Sequence, residues 1–291
     1  MNTIYKTNTI MRKKILITGL VLVTIGLMLI TTSVTFAQQA ANEFVIPLSD
    51  PAKRGKLKAH LNSGSITIKG TARKDVLVRY KAEEDEDDDD HGHDRGDNPR
   101  EGLKRISGGG MDLEAAESNN YVRIQSNSWN NEINLEIEVP AGFDVEAHTY
   151  NNGDLMLTNL QGELALTNYN GEITALNISG SVIATTYNGE IRVTYDKLTE
   201  NTPLSYSTYN GDIDITFPAT LKASFKMKTE QGEIYTGFDM NVTSTGPKQT
   251  KDARSGAFKI IIDDWKKGDV NGGGPEITLK NYNGDIYLRK K

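Results

Sequence analysis

Two groups of residues in this chain have types and spacings that could do chemistry. In the first, Asp87, Asp88, Asp89 and Asp90 run into His91, His93 and Asp94. Carboxylate oxygens and imidazole nitrogens so gathered are ligands that divalent cations choose. In the second, Tyr169, Tyr187, Tyr209 and Tyr282 each precede Asn-Gly and an acid, as in TYNGEIRV at 186–193 and TYNGDIDI at 208–215. A row of such rings could stack on sugars or on a partner's side chains. Each group also has a plainer reading. An acid run is by default a solvated loop that holds ions weakly and unselectively, and ring rows also form where aromatics pack over a corner and shield a sheet from water.

Other chemistry finds less support. Toxin-type β-rolls bind calcium between nine-residue turns through G-G-x-G-x-D, whereas each turn here has one Gly and one acid, often Glu. Sugar-cleaving enzymes need two carboxylates converging across a groove, and these acids are spread one per turn. His60 and His148 stand alone in strand-like stretches, so no nucleophile and base pair up. Arg95-Gly96-Asp97 inside the charged stretch reads as a chance tripeptide. No cofactor is expected, and the acidic insert is the one place where calcium or another divalent cation could collect.

What must position the tyrosines is a repeat. Gly153, Gly162, Gly171, Gly180 and Gly189 follow one another at nine-residue intervals, with further copies at Gly211, Gly232 and Gly284 and an early one at Gly64. Two and four residues after these glycines stand Ile66/Ile68, Leu155/Leu157, Leu164/Leu166, Ile173/Ala175, Val182/Ala184, Ile191/Val193, Ile213/Ile215, Ile234/Thr236 and Ile286/Leu288. Only Thr236 among them is polar. Small or polar residues alternate with them, which predicts short strands with one buried face. Nothing in the mature chain sustains a helical period.

The Asn-Gly pairs then have a mechanical duty, since Gly and to a lesser extent Asn tolerate the positive φ of tight turns. The acid that follows points outward, where it can cap backbone amides. The residue two before glycine alternates between Tyr (169, 187, 209) and an aliphatic (Leu160, Ile178), so the full period is about 18 residues. Gly153 is a variant with Tyr150 one place further back and Asn151-Asn152 doubled, consistent with a bulge. This predicts an all-β, single-domain β-solenoid, β-helix- or β-roll-like, of two strands and two corners per coil. The alternative is an antiparallel β meander, because Asn-Gly is also a strong hairpin signal.

The pattern resembles a family of exported bacterial proteins, the putative adhesins, built on a β-solenoid domain of unknown function with recurrent N-G-[DE]-[ILV] turns. The matching motifs are Asn152-Gly153-Asp154-Leu155, Asn170-Gly171-Glu172-Ile173, Asn188-Gly189-Glu190-Ile191, Asn210-Gly211-Asp212-Ile213 and Asn283-Gly284-Asp285-Ile286. The resemblance spans roughly 111–291, with an earlier coil around 61–69. It implies the fold and a role in adhesion, and it brings no catalytic residues. The departures are the acidic insertion near 83–100 and the long interval from Gly232 to Gly284, which holds Trp265 and Asn271-Gly272-Gly273-Gly274.

Arg12, Lys13 and Lys14 precede an apolar run, Ile15 to Val34, that ends in Thr35-Phe36-Ala37. That is a signal peptide over 1–37 with a small-x-small cleavage site; an uncleaved anchor helix, the only expected membrane contact, is the alternative. The expected organisation continues with N-terminal strands or a cap (38–82), an acidic disordered insert (83–110) and solenoid repeats (111–291). With no cysteine, disulfides, thiolate metal sites and lipoprotein anchoring are excluded. Past residue 37 there are 29 basic and 39 acidic residues, and eight of the acids form the block Glu83–Asp90. That balance argues against nucleic acid. The expected function is a non-enzymatic, adhesin-like binding or scaffold module of the bacterial envelope, periplasmic, on the surface or secreted, whose partner is a surface protein or glycan. The alternative is a carbohydrate-active enzyme on the same scaffold.

Overall fold

Residues two and four past each corner glycine turn inward, and the structure is built on that alternation. The structure, a computed structural model, describes residues 42–83, 112–198, 204–244, 246, 248–251, 258–261 and 264–291. The expected signal segment lies outside these residues. So does the expected insert except for Glu83, which ends the strand Asp75–Glu83, and Leu113 and Asp112 resume the described chain after it. Every regular element among the described residues is a strand, and residues 42–291 make one unit.

The chain winds as a two-sided β-solenoid. Its rungs cross between a 10-stranded and an 11-stranded sheet. Consecutive central rungs pair in parallel: Ile173 lies beside Ile191 and Ile191 beside Ile213 in one sheet, and Leu164 lies beside Val182 in the other. The rungs therefore do not form an antiparallel meander. The 18-residue period between Ile173 and Ile191 is one full turn of the coil.

Like sits on like because the register holds from rung to rung through the inner columns, slipping between Ala175 and Ile178 beside Tyr195. Ile66, Leu155, Ile173, Ile191, Ile213 and Ile286 form one inner column, all 0% exposed. Leu57, Val145, Leu164, Val182, Leu204, Ile277 and Phe225 face them from the opposite sheet. Burying an aliphatic side chain of this size contributes about 2 kcal/mol, so a one-residue slip, which would turn a whole column to water, is strongly opposed. Among the inner positions read from sequence, Ile234 is half-buried and Thr236 exposed, and both lie on the last strand of their sheet.

Two rungs stand out of sequence order. The rung 56–71 lies between 121–140 and 144–158, and the rung 276–290 lies between 204–217 and 223–236. Antiparallel strands finish the stack. Glu43–Pro47 and Asp75–Glu83 close one sheet, Glu114–Ser118 closes the other, and Lys266–Val270 with Thr243–Ser244 covers Ala223–Lys228 at the far end. Reversing strand direction at an edge ends the parallel template that would otherwise add further strands. Ile234–Thr236 has no such cover among the described residues.

Inside the stack, Tyr195 and Phe217 stack at 5.4 Å and Phe217 meets Phe225 edge-on at 5.7 Å. The hydroxyls of Tyr195 and Tyr206 share a hydrogen bond of 2.6 Å in full burial.

Candidate functional site

At the Asn-Gly corner three kinds of side chain form parallel columns. Closest to the axis, each glycine sits against the glycine of the preceding rung. A Cβ on Gly189 would clash with the Gly171 carbonyl, and one on Gly211 with the Gly189 carbonyl. Gly211 also has a φ of +136°, which only glycine adopts easily. Gly153, Gly171, Gly189, Gly211, Gly284 and Gly232 all belong to this column, while Gly162 and Gly180 stack at the opposite corner, where Gly180 faces the Gly162 carbonyl. Close approach of rungs is thus a demand on these positions as strong as turn geometry.

Behind the glycines runs a buried polar column that the apolar alternation does not announce. Thr149, Thr186, Thr208 and Thr229 donate their hydroxyls to the carbonyls of Gly64, Gly171, Gly189 and Gly284 at 2.7–3.1 Å. Asn168 and Asn281 donate side-chain amides in the same way to Gly153 and Gly211, at 3.0 and 2.8 Å. A buried carbonyl without a partner is costly, so each of these six rungs supplies one donor. The two asparagines do this incompletely, because their own amide oxygens are buried without partners.

The Asn of the motif plays a part different from the one expected. Asn170, Asn188, Asn210 and Asn283 are not in the positive-φ region; Asn152, Asn159 and Asn177 are, at 54–58°. The motif asparagines form a side-chain ladder instead. Asn170 donates to Asn151 at 2.8 Å, Asn188 to Asn170 at 2.8 Å, Asn210 to Asn188 at 2.7 Å and Asn283 to Asn210 at 3.4 Å. The doubled Asn151-Asn152 is explained at once: Asn151 takes the ladder place and Asn152 absorbs the extra residue in a left-handed conformation. The acids cap amides, as the sequence suggested, but on the neighbouring rung. Asp154, Asp212 and Asp285 accept from the backbone N–H groups of Glu172, Asp285 and Glu233, each at 2.8 Å.

Outermost stand the tyrosines. Tyr169, Tyr187, Tyr209 and Tyr282 come together in one column, joined by Tyr150, with centroids 4.6–5.0 Å apart and ring planes within 1–5° of parallel. Each of the four is about two-fifths exposed. Trp129, which has no place in the repeat and so gave no sequence signal, packs edge-on against Tyr150 at 5.3 Å. The Tyr209 phenol is pushed above its ordinary pKa by partial burial under its neighbours and then by Tyr282 and Tyr187. Parallel rings this close cover one another's faces. The column therefore offers water a row of ring edges and hydroxyls, with no gap into which a sugar ring could slide.

The remaining sequence candidates fall elsewhere. Asp87, Asp88, Asp89, Asp90, His91, His93 and Asp94 lie outside the described residues, as does Arg95-Gly96-Asp97. His60 and His148, far apart in sequence, are neighbours on adjacent parallel strands, with rings 4.9 Å apart. Burial, His60 and Lys58 lower the pKa of His148. Among the described residues no three His, Asp or Glu side chains gather as a metal site would require.

The family described as Toastrack DUF4097 matches residues 38–271. The chain belongs to that family. The Toastrack match takes in every central rung and the tyrosine column up to Tyr209; Tyr282 falls beyond it. A crystal structure of a putative cell adhesion protein from Clostridium sporogenes ATCC 15579 is similar to this Toastrack chain at 12% identity and a TM-score of 0.42, covering 86% of this chain and 99% of that one. A putative adhesin from Bacteroides fragilis NCTC 9343 is similar at 10% identity and a TM-score of 0.31, covering 84% of this chain and 95% of that one. No curated protein matches the chain.

Proposed function

We propose that the chain is a non-enzymatic, adhesin-like binding module exported to the bacterial cell envelope, and that it meets a surface glycan or protein along the tyrosine column. One observation carries this reading: five tyrosines are held at a fixed 4.6–5.0 Å repeat on a rigid, exposed corner. Contacts that are each weak gain strength when a repetitive partner engages several at once. The asparagine ladder and the buried donors behind the rings fix their spacing before any partner arrives, which lowers the ordering cost of binding. The basic and apolar leader supports export.

The carbohydrate-active alternative needs two carboxylates free to act on a bound sugar. Corner acids Asp154, Asp212 and Asp285 are already engaged with backbone amides, which favours the module. The acidic insert is proposed as an accessory that gathers divalent cations. Calorimetry with calcium on the full chain and on a chain lacking residues 83–97 tests this, and equal heats would remove the idea.

Because stacking hides the ring faces, recognition falls to the hydroxyls. The double variant Tyr187→Phe/Tyr209→Phe keeps the stack and removes two of them. Weakened adherence to bacterial envelopes or glycan arrays at an unchanged melting temperature is the expected result. Undiminished adherence would overturn the column as the contact, and turnover of any polysaccharide by the purified protein would overturn the module reading itself.

A further inference from the structure

An Asn followed by Gly can react with its own backbone. Glycine has no side chain to shield its nitrogen, and that nitrogen can attack Cγ of the preceding asparagine. It gives up its proton to water as the C–N bond forms, a five-membered succinimide closes, and the amide nitrogen leaves as ammonia. Water then opens the ring at one carbonyl or the other, giving aspartate or isoaspartate, the second with an extra methylene in the main chain. The balance is one water consumed and one ammonia released, with no oxidant or reductant. The chain has six such pairs, beginning at Asn152, Asn170, Asn188, Asn210, Asn271 and Asn283. As dipeptides they are alike; the fold makes them differ.

Four of the six are held at both reacting groups. Asn170, Asn188, Asn210 and Asn283 donate their side-chain amides along the ladder. The nitrogens that would attack are engaged as well: Gly171, Gly189, Gly211 and Gly284 donate to the carbonyls of Asn188, Asn210, Asn283 and Gln231 at 2.8–3.0 Å. Ring closure at any of these four gives up two hydrogen bonds and shifts a glycine packed against its neighbour's carbonyl. Asn271 is held at its side chain, which donates to the Leu221 carbonyl at 2.7 Å and to that of Ala219 at 3.3 Å.

Asn152 is held at neither group. It is the residue that the bulge adds, so Asn151 takes the ladder place and Asn152 is left exposed with a φ of +54°. Among the described residues its side chain has no hydrogen-bond partner, and neither has the N–H of Gly153. One rung on, Gly171 gives the equivalent N–H to Asn188, but Gly153 makes no matching bond to Asn170.

We propose that Asn152-Gly153 is a self-modification site, where the folded protein converts asparagine to isoaspartate and aspartate while the ladder protects the other corners. The isoaspartyl form lengthens the main chain between two fixed points. Asn151 accepts the last bond of the ladder from Asn170, and the Gly153 carbonyl accepts from Asn168. Rung 144–158 therefore loses its register at this corner, and Tyr150, two residues before the bulge, is the first ring the change reaches. The inference does not depend on what the tyrosine column binds.

The test incubates the unaltered full chain in heavy-oxygen water at mildly alkaline pH, beside the same chain held unfolded in denaturant. Peptide mapping with fragmentation that separates isoaspartate from aspartate reads each Asn-Gly pair. In the folded chain Asn152 is expected to convert about thirtyfold faster than Asn188 and Asn210, the rate cost of giving up two hydrogen bonds of ordinary net strength. Asn271 is expected between them, and in denaturant all six should convert at similar rates. Asn152→Gly, which suits the left-handed conformation, is expected to keep the melting temperature and abolish the early release of ammonia. Conversion of Asn152 no faster than Asn188 in the folded chain would overturn the site. So would the same ranking in denaturant, which would trace it to the dipeptides' neighbours, or early ammonia release that persists in Asn152→Gly.

Discussion

The protein has two dense groups of aromatic rings, and they do opposite things. At the Asn-Gly corner the rings are identical, repeat once per rung, stack within 1–5° of parallel and remain about two-fifths exposed. In the interior, Tyr195, Tyr206 and Phe225 come from positions where neighbouring rungs place Ile178, Ala184, Leu279 and Ile277, and Phe217 lies against Tyr195 and Phe225. They meet partly edge-on, and they are 0–2% exposed. The corner group is held in line by the glycines and asparagines behind it and adds little burial of its own. The inner group fills volume, and its polar atoms must satisfy each other. Residue type alone does not decide whether a ring is buried or exposed; its position in the coil does.

That contrast can be broken from either side. The largest effect should come from Phe217→Ala, which empties a fully buried ring site and is expected to cost about 4 kcal/mol, read by denaturant unfolding. Alkaline unfolding should probe the inner group next. Burial raises the pKa values of Tyr195 and Tyr206 above 10.0. A phenol kept neutral by the fold lets the unfolded chain ionise first, so stability is intact below pH 10 and is lost as pH climbs toward the folded values. The loss should approach about 1.4 kcal/mol per pH unit for each phenol, and the slope should flatten in a Tyr195→Phe/Tyr206→Phe chain.

A smaller effect, of opposite sign, is expected behind the column. Asn168→Thr supplies the hydroxyl that Thr186 and Thr208 already offer a glycine carbonyl and removes the unpartnered amide oxygen. Thermal unfolding should show a gain of about 1 kcal/mol. Smallest of all, Tyr187→Phe should change stability by less than about 0.5 kcal/mol, because the ring and its stacking survive. A large loss there would mean that the hydroxyls serve the fold, and the distinction between the two groups would weaken.

Much of this architecture was legible in the residues. The pairs Ile191/Val193 and Ile213/Ile215 point inward because two-residue alternation and burial are local facts, and the tyrosines align because their period equals that of the coil. The exception at Thr236 was also informative, since the rung it belongs to closes its sheet without a covering strand. Three things were not legible. The asparagine ladder was hidden because Asn next to Gly reads equally as a turn residue. The buried Thr and Asn donors look like ordinary polar members of a strand end until the glycine carbonyls they serve are placed. Above all, rung order was hidden: Ile66-x-Ile68, Ile213-x-Ile215 and Ile286-x-Leu288 offer nearly the same edges, so nothing local tells 276–290 to lie against 204–217 rather than beyond 223–236. His60 and His148 stayed apart on the page for the same reason, since they meet only once rung 56–71 is placed beside 144–158.

The displaced rung at 276–290 has a consequence for how the molecule comes into being. A spool of parallel turns could in principle be wound in the order its thread is delivered, each turn laid on the one before. Here residues 223–236 arrive well ahead of the strands that must separate them from 204–217, and laying them down directly would shut out the latecomers. A chain with this topology has to keep a berth vacant until 276–290 is available and fill it from the side, which makes the docking of that rung a late step in completing the stack.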